Sequence, residues 1–344
     1  PAKDLTHHRR LRFVDFQVSR RGRCPRHPPV TVRHLPHGHL ALAQTEWVTA
    51  LLAARMPDAA LEIVIIETEG DRAREAAPDA SRSPGAFTRA LDDALLDGRI
   101  DLAVHSLKDM PLHMAPALTI AATPPREDPR DVFLSRNNAG LAECPMGWVV
   151  GTSSPRRRAF LQAVRPDLRV RPVRGNVDTR VRKMRAAGEV DALIVAAAGL
   201  RRLRMEIPVA AHLDAIAWPP APGQGALGVV ARACDETLVA QVRRIEDAAV
   251  RRAVTAERAV LAGLGGACGA PLGAYAVVDN DRLVLHAALA DPWEGTTARG
   301  MREGPAAEAQ ALGAALAAEL LRRGGQAIMD HVRQNHGKAC DDTG

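Results

Sequence analysis

The chain has 344 residues, is 47% hydrophobic and 25% charged, and carries a formal charge of +6. This length admits two or three domains, and the composition is that of an ordinary soluble globular protein. No run of about eighteen apolar residues occurs, so no transmembrane helix is expected, and an aromatic content of 3% gives a nucleic-acid binder no stacking platform.

The first 28 residues are basic, with His7-His8-Arg9-Arg10 and Arg20-Arg21-Gly22-Arg23, and have little apolar periodicity. They lack the apolar segment of a secretory signal and read as a disordered extension outside the fold, an organelle transit peptide being the alternative. From residue 30 strands and helices alternate. A helix is predicted over Leu40–Arg55, a strand over Leu61–Thr68, a loop over Gly70–Gly85, a helix over Phe87–Leu96, and strands over Asp101–Leu107 and Leu118–Ala122. Strands follow at Asp131–Leu134, Trp148–Gly151, Leu168–Val173 and Asp191–Val195, with helices at Pro155–Val164 and Val177–Ala187. The returning strand is Ala226–Ala233, and helices follow at Glu236–Arg244 and Ala248–Leu261. The last unit holds strands at Leu272–Val278, Leu283–Leu289 and Thr297–Arg302, an alanine-rich helix Ala306–Arg323 and a short final helix.

Proline-rich segments at residues 123–125 and 218–223 mark two crossings, so the chain leaves a first domain, builds a second and returns. The expected division is 29–124 plus 221–245, then 125–220, then 246–334, with a tail at 335–344. The fold class is α/β, in three domains.

Nearly all the cations are arginines, and only four lysines occur, at 3, 108, 183 and 338. Arginine suits bidentate capture of carboxylates, although a GC-rich coding bias gives the same composition. The five cysteines show no metal-ligand spacing, so no metal site is expected, and their number and placement fit a reducing cytosol.

Four runs carry chemistry. Asp101–Pro111 reads as an apolar strand ending in Ser106, Lys108 and Asp109, and ligands of open α/β sheets sit beyond the carboxyl ends of strands. Asp109 is either a structural partner of Lys108 or a candidate acid. In Gly151–Arg158, Ser154 can cap a helix that Pro155 begins, which puts Arg156 and Arg157 at the end of the helix dipole that disfavours cations. A bound anion would reverse that penalty, whereas a solvated basic face would not. Arg174–Arg180 repeats the logic, with Asn176 as the cap and Arg174 and Arg180 flanking it. Cys268 lies between glycines in Leu264–Pro271, as a modifiable thiol or an inert one.

These runs resemble the porphobilinogen deaminase (hydroxymethylbilane synthase) family from about Leu40 to the final helices. Arg126–Asp131, Ala198-Gly199-Leu200, Pro222–Ala226 and Thr255–Ala259 extend the match in order. The resemblance implies two domains like periplasmic-binding-protein lobes around a cleft and a small α+β third domain whose cysteine, here Cys268, holds a covalent dipyrromethane cofactor through a thioether. It implies condensation of four porphobilinogen molecules, with loss of ammonia, into linear hydroxymethylbilane for tetrapyrrole biosynthesis. Asp109 matches the catalytic carboxylate. Lys108, Ser106, Ser154, Arg156, Arg157, Arg174, Arg180 and Arg202 match cofactor and carboxylate contacts. A cytoplasmic monomer without nucleic-acid or membrane partners is expected.

Two segments depart from the family's pattern. His34–His39 lacks the arginine and serine of a Gly-Thr-Arg-Gly-Ser-Pro-like turn, and Arg82–Ala86 has Pro84 where the family's loop has lysine. The alternatives they raise are an activity-impaired member or a non-catalytic carboxylate-binding module on the same fold.

Overall fold

The computed structural model describes residues 30–34, 39–66, 86–186, 188–266 and 269–335. The expectations for residues 1–28, the altered turn at 35–38, the loop at 70–85 and Cys268 lie outside the described residues.

In chain order the first lobe has strand β1 (Val30–His34), helix α1 (His39–Arg55), β2 (Leu61–Ile65), α2 (Ala86–Leu96), β3 (Leu102–Ser106) and β4 (Leu118–Ala122). The second has β5 (Asp131–Ser135), β6 (Val149–Gly151), α3 (Pro155–Val164), β7 (Arg169–Arg171), α4 (Val177–Arg185), β8 (Ala192–Ala196), α5 (Ala197–Arg202) and β9 (Ala211–His212). Then come β10 (Leu227–Arg232), α6 (Glu236–Val242), α7 (Ala248–Gly263), β11 (Leu272–Asp279), β12 (Arg282–Ala290), β13 (Thr297–Pro305), α8 (Ala309–Leu320) and α9 (Gln326–Asn335).

Two five-stranded sheets have the orders β2-β1-β3-β10-β4 and β7-β6-β8-β5-β9, and β11-β12-β13 form a third. The two large sheets share one plan. Each has parallel strands with one antiparallel strand inserted next to the last: β10 runs against β3 and β4, and β5 against β8 and β9. Each inserted strand immediately follows a crossing. The chain therefore passes between the lobes twice, and each passage is anchored by a strand in the middle of a sheet.

Strand periodicity explains the layers. Leu102 and Val104 of β3 pack with Val48 and Leu52 of α1, whereas Ala103 faces Leu91 and Leu95 of α2. Each such fully buried leucine contributes about 1.5–3 kcal/mol of transfer free energy. In the second lobe Phe133, Val150, Phe160 and Ile194 fill one face, and Val132, Leu134, Val181 and Met184 the other. The third domain joins both lobes: Ala288 and Ala290 of β12 enter the Phe133 core, and Val254 of α7 enters the core around Leu95 and Leu107.

Several predicted elements change at their ends. The strand expected to reach Leu107 ends at Ser106, and Leu107–Asp109 form a 3-10 turn, which puts Lys108 and Asp109 on the turn itself. The expected Leu168–Val173 strand shortens to Arg169–Arg171, because Pro172 has no backbone N–H to continue the ladder. The helix expected from Ala306 begins as a 3-10 turn and becomes α-helical at Ala309. Helix α5 and strand β9 were not anticipated; both are too short to show a period.

The two crossings touch. Glu127 N donates to Gly225 O at 3.2 Å, and a Cβ on Gly225 (φ +84°) would lie 2.4 Å from Glu127 O. Only glycine allows this approach.

Candidate active site

The carboxyl end of β3 meets the N-termini of α3 and α4 across the crossings. Leu107 N donates to Ala226 O at 3.1 Å, fixing the 3-10 turn against β10. Lys108 and Asp109 are exposed on that turn. Lys108 Nζ donates to Gln224 Oε1 at 3.5 Å. Gln224 in turn donates from Nε2 to Pro129 O and to Asp131 Oδ1, both at 2.8 Å.

Asp131, at the start of β5, is the hub. It is fully buried and accepts from Arg156 Nη2 at 2.6 Å, Arg157 Nη2 at 2.7 Å and Trp218 Nε1 at 3.0 Å. Desolvation opposes its charge, but the two guanidinium groups and the hydrogen bonds from Arg157 and Gln224 prevail, and its carboxyl pKa is held well below the ordinary carboxylate value. Arg156 Nη1 reaches Pro219 O at 3.0 Å, and Arg157 Nη1 reaches Ile194 O at 2.9 Å. Both arginines are buried, which rules out a solvated basic face for them. Part of the anion that the N-terminus of α3 calls for is thus internal, the carboxylate of Asp131.

Ser154 occupies the N-cap of α3 as expected, its Oγ accepting from Arg157 N at 3.4 Å. Asn176 stands at the N-cap of α4, but its side chain makes no capping bond, which corrects that expectation; its carbonyl still accepts from Arg180 N at 2.9 Å. Ser106 Oγ accepts from Gln44 Nε2 of α1 at 3.1 Å.

The remaining cations carry less compensation. Arg180 Nε donates to Gly175 O at 2.7 Å; burial lowers its pKa and the positive charge of Arg157 lowers it further. Arg202 Nη2 donates to Gly225 O at 2.7 Å, and burial pulls its pKa down to about 10 against the opposing charge of Glu127. Lys108 is exposed on the turn, yet the surrounding protein depresses its pKa; Asp109 offsets part of this and Arg157 adds to it. Arg174 is exposed in the turn before α4.

Lys108, Arg156 and Arg157 thus lie around Asp131, with Asp109 next to Lys108, Arg180 next to Arg157, and Ser106, Ser154 and Arg202 on the elements that carry or adjoin them. Sequence reasoning assigned no role to Gln224, Glu257 or Arg258. Their signal lay in the runs Pro222–Ala226 and Thr255–Ala259, which carried the family resemblance without an assigned chemistry.

Comparison with known proteins shows the family. Residues 37–240 match the family description "porphobilinogen deaminase, dipyromethane cofactor binding domain", and residues 251–322 match "porphobilinogen deaminase, C-terminal domain". The chain belongs to the porphobilinogen deaminase family.

Porphobilinogen deaminases of Roseiflexus castenholzii and Desulforudis audaxviator are 43% and 46% identical to it over 290 and 294 residues, covering 84% and 86% of this chain and 95% of each relative. That of Mycobacterium tuberculosis is 44% identical over 301 residues, covering 85% of this chain and 96% of the relative. Among solved structures, the periplasmic VFT2 domain of Bordetella pertussis BvgS is matched at 16% identity with a TM-score of 0.39, over 64% of this chain and 87% of that one.

The residues present fit the porphobilinogen deaminase cofactor. A dipyrromethane carries several carboxylates, and the site offers a surplus of cations. Asp131 neutralises one charge of the Arg156–Arg157 pair, while burial and Arg157 both weigh against the charge on Arg180. The Nε atoms of Arg156 and Arg157 are also buried without hydrogen-bond partners among the described residues. Desolvated, undercompensated guanidinium groups favour anionic side chains.

Proposed function

We infer that this chain condenses four porphobilinogen molecules, with loss of ammonia, into linear hydroxymethylbilane, the family's step in tetrapyrrole biosynthesis. One observation carries the reading: the exposed pair Lys108 and Asp109, where β3 ends, stands by the buried guanidinium groups of Arg156 and Arg157, with the half-buried Arg180 next to Arg157. When bound, the dipyrromethane supplies the pyrrole to which substrate units are joined. In this reading Cys268 holds it through a thioether, and Lys108, Ser106, Ser154, Arg156, Arg157, Arg174, Arg180 and Arg202 bind its acetate and propionate groups and those of the growing chain.

Asp109 handles the proton exchanged as the aminomethyl C–N bond of porphobilinogen breaks and ammonia leaves, and its charge stabilises the positive pyrrole nitrogen. A carboxylate fixed beside developing positive charge lowers a barrier because little reorganisation is needed as that charge appears. Hinge motion at the two crossings makes room for added rings. The three domains in this reading are 29–124 with 221–245, 125–220, and 246–334. No helix among the described residues is long and apolar enough to cross a membrane. A cytoplasmic monomer that needs no nucleic acid completes the proposal.

The test is the intact mass of the denatured protein beside a Cys268→Ala variant, with porphobilinogen consumption measured on both. Added mass equal to two linked pyrrole units, absent from the variant, together with turnover supports the reading. An unmodified mass that persists after incubation with porphobilinogen, and no turnover, would leave a carboxylate-binding module instead.

A further inference from the structure

Arg258 of α7 reaches out of its own domain. Its Nη1 donates to Leu107 O at 3.0 Å and to Met110 O at 3.2 Å, and its Nη2 donates to Pro111 O at 2.5 Å. These three carbonyls bracket the turn that presents Lys108 and Asp109. The guanidinium faces neutral acceptors here rather than a carboxylate, and partial burial depresses its pKa. Carbonyls compensate a buried charge less well than a carboxylate does, so stability alone is a poor reason for the placement. What a planar fork provides is fixed geometry at several acceptors, which the single nitrogen of a lysine cannot reproduce.

A second contact joins the same two segments. Helix α7 ends at Gly263, and the chain goes on through Gly265 and Gly266. A Cβ on Gly266 (φ +64°) would lie 2.9 Å from Leu112 Cδ1, immediately after the turn. Cys268 follows two residues later. The turn is thus held on one side by β10, through Leu107 N to Ala226 O, and on the other by the third domain.

We propose that Arg258 is a positioning residue, which keeps the Lys108–Asp109 turn in register with the segment leading to Cys268, so that the two move as one body while the lobes shift. The proposal rests on the function inferred above for what that register achieves, and on hydrogen-bond geometry alone for the register itself.

Its test uses the full-length protein with Arg258→Met, Arg258→Lys and Gly266→Ala. Hydrogen exchange across residues 107–112 reads the register without any turnover; exchange at least about tenfold faster in Arg258→Met is expected. In protein that carries the added pyrrole mass, kcat for porphobilinogen falls by about 10–100-fold while KM stays within about twofold, the signature of misplaced reacting groups rather than lost binding. Arg258→Lys restores only part of kcat, and Gly266→Ala lowers kcat by its own route. A lowered melting temperature with unchanged exchange and unchanged kcat would make Arg258 merely structural and overturn the proposal. If Arg258→Met does not fold, wild-type exchange and kcat in both other variants overturn it equally. Wild-type protein without cofactor or turnover would sink the reaction instead, and the exchange measurement would still decide the register.

Discussion

Glu257 on α7 and Arg126 in the first crossing meet in a two-pronged ion pair, Arg126 Nη1 to Oε1 at 2.6 Å and Nη2 to Oε2 at 3.0 Å, with the carboxylate fully buried. The same carboxylate accepts from Gly223 N at 2.7 Å in the second crossing and from Ala276 N at 2.9 Å in β11. One side chain thus ties both crossings to the third domain. Breaking one partner of a buried pair costs about 3–5 kcal/mol, because a charge is left uncompensated. Glu257→Gln is expected to lower the thermal midpoint by several degrees and to speed amide exchange at Gly223 and Ala276. Scanning calorimetry and exchange mass spectrometry check this, and an unchanged midpoint would refute it.

Asp131 ties acid stability to the site. Its folded pKa lies below its ordinary value of 3.8, so the unfolded chain binds a proton first as the pH falls. The stabilisation is fully present above that ordinary value and is lost as the pH drops below it toward the depressed folded pKa. Asp131→Asn should therefore be less stable at neutral pH and show a weaker dependence between about pH 4 and pH 2. Denaturant midpoints of the two proteins at several acid pH values measure the difference; parallel curves would contradict the assignment.

His105, in β3, works in a different window. It is buried, and desolvation pulls its pKa from 6.5 down to about 4, with its Nε2 lacking a hydrogen-bond partner among the described residues. The folded state then takes up its proton later than the unfolded state does. Stability is full above pH 6.5 and falls between 6.5 and 4, by up to about 3 kcal/mol at about 1.4 kcal/mol per unit. His105→Leu should flatten that slope, read from urea midpoints at pH 4.5, 5.5 and 6.5. A slope identical to wild type would remove His105 as its source.

Lys108 predicts an alkaline limb. Its pKa is depressed below the ordinary 10.5 by the protein around it, so its charge is lost earlier than that of a free lysine. KM for porphobilinogen should rise above the displaced pKa, by about tenfold per pH unit if this charge is essential. Lys108→Arg keeps its charge through that range and should show a flat KM profile. Matching profiles in both proteins would exclude Lys108 as the titrating group.

Much of the framework was legible in the sequence. Leu61–Ile65, Leu102–Ser106 and Ala192–Ala196 are apolar runs bounded by turn residues, and Ser154-Pro155 marks a helix start from adjacent residues alone. Their signals are local, so a linear reading finds them. The candidate site was legible as a set of residues at strand ends, but their partners were not. Arg156 and Arg157 read as open binding groups, and the structure ties them to Asp131, which lies 25 and 26 residues away in sequence.

The sequence by itself determined the alternation of strands and helices, the residues at strand ends, and the family to which those motifs point, because side-chain period and backbone preference act within a few residues. Tertiary structure alone decided which arginines are neutralised internally, which carboxylate staples the crossings, and that Arg258 grips a turn about 150 residues earlier in the chain. Those outcomes depend on desolvation and charge pairing between elements that become neighbours only when three sheets pack together, and no local pattern encodes them.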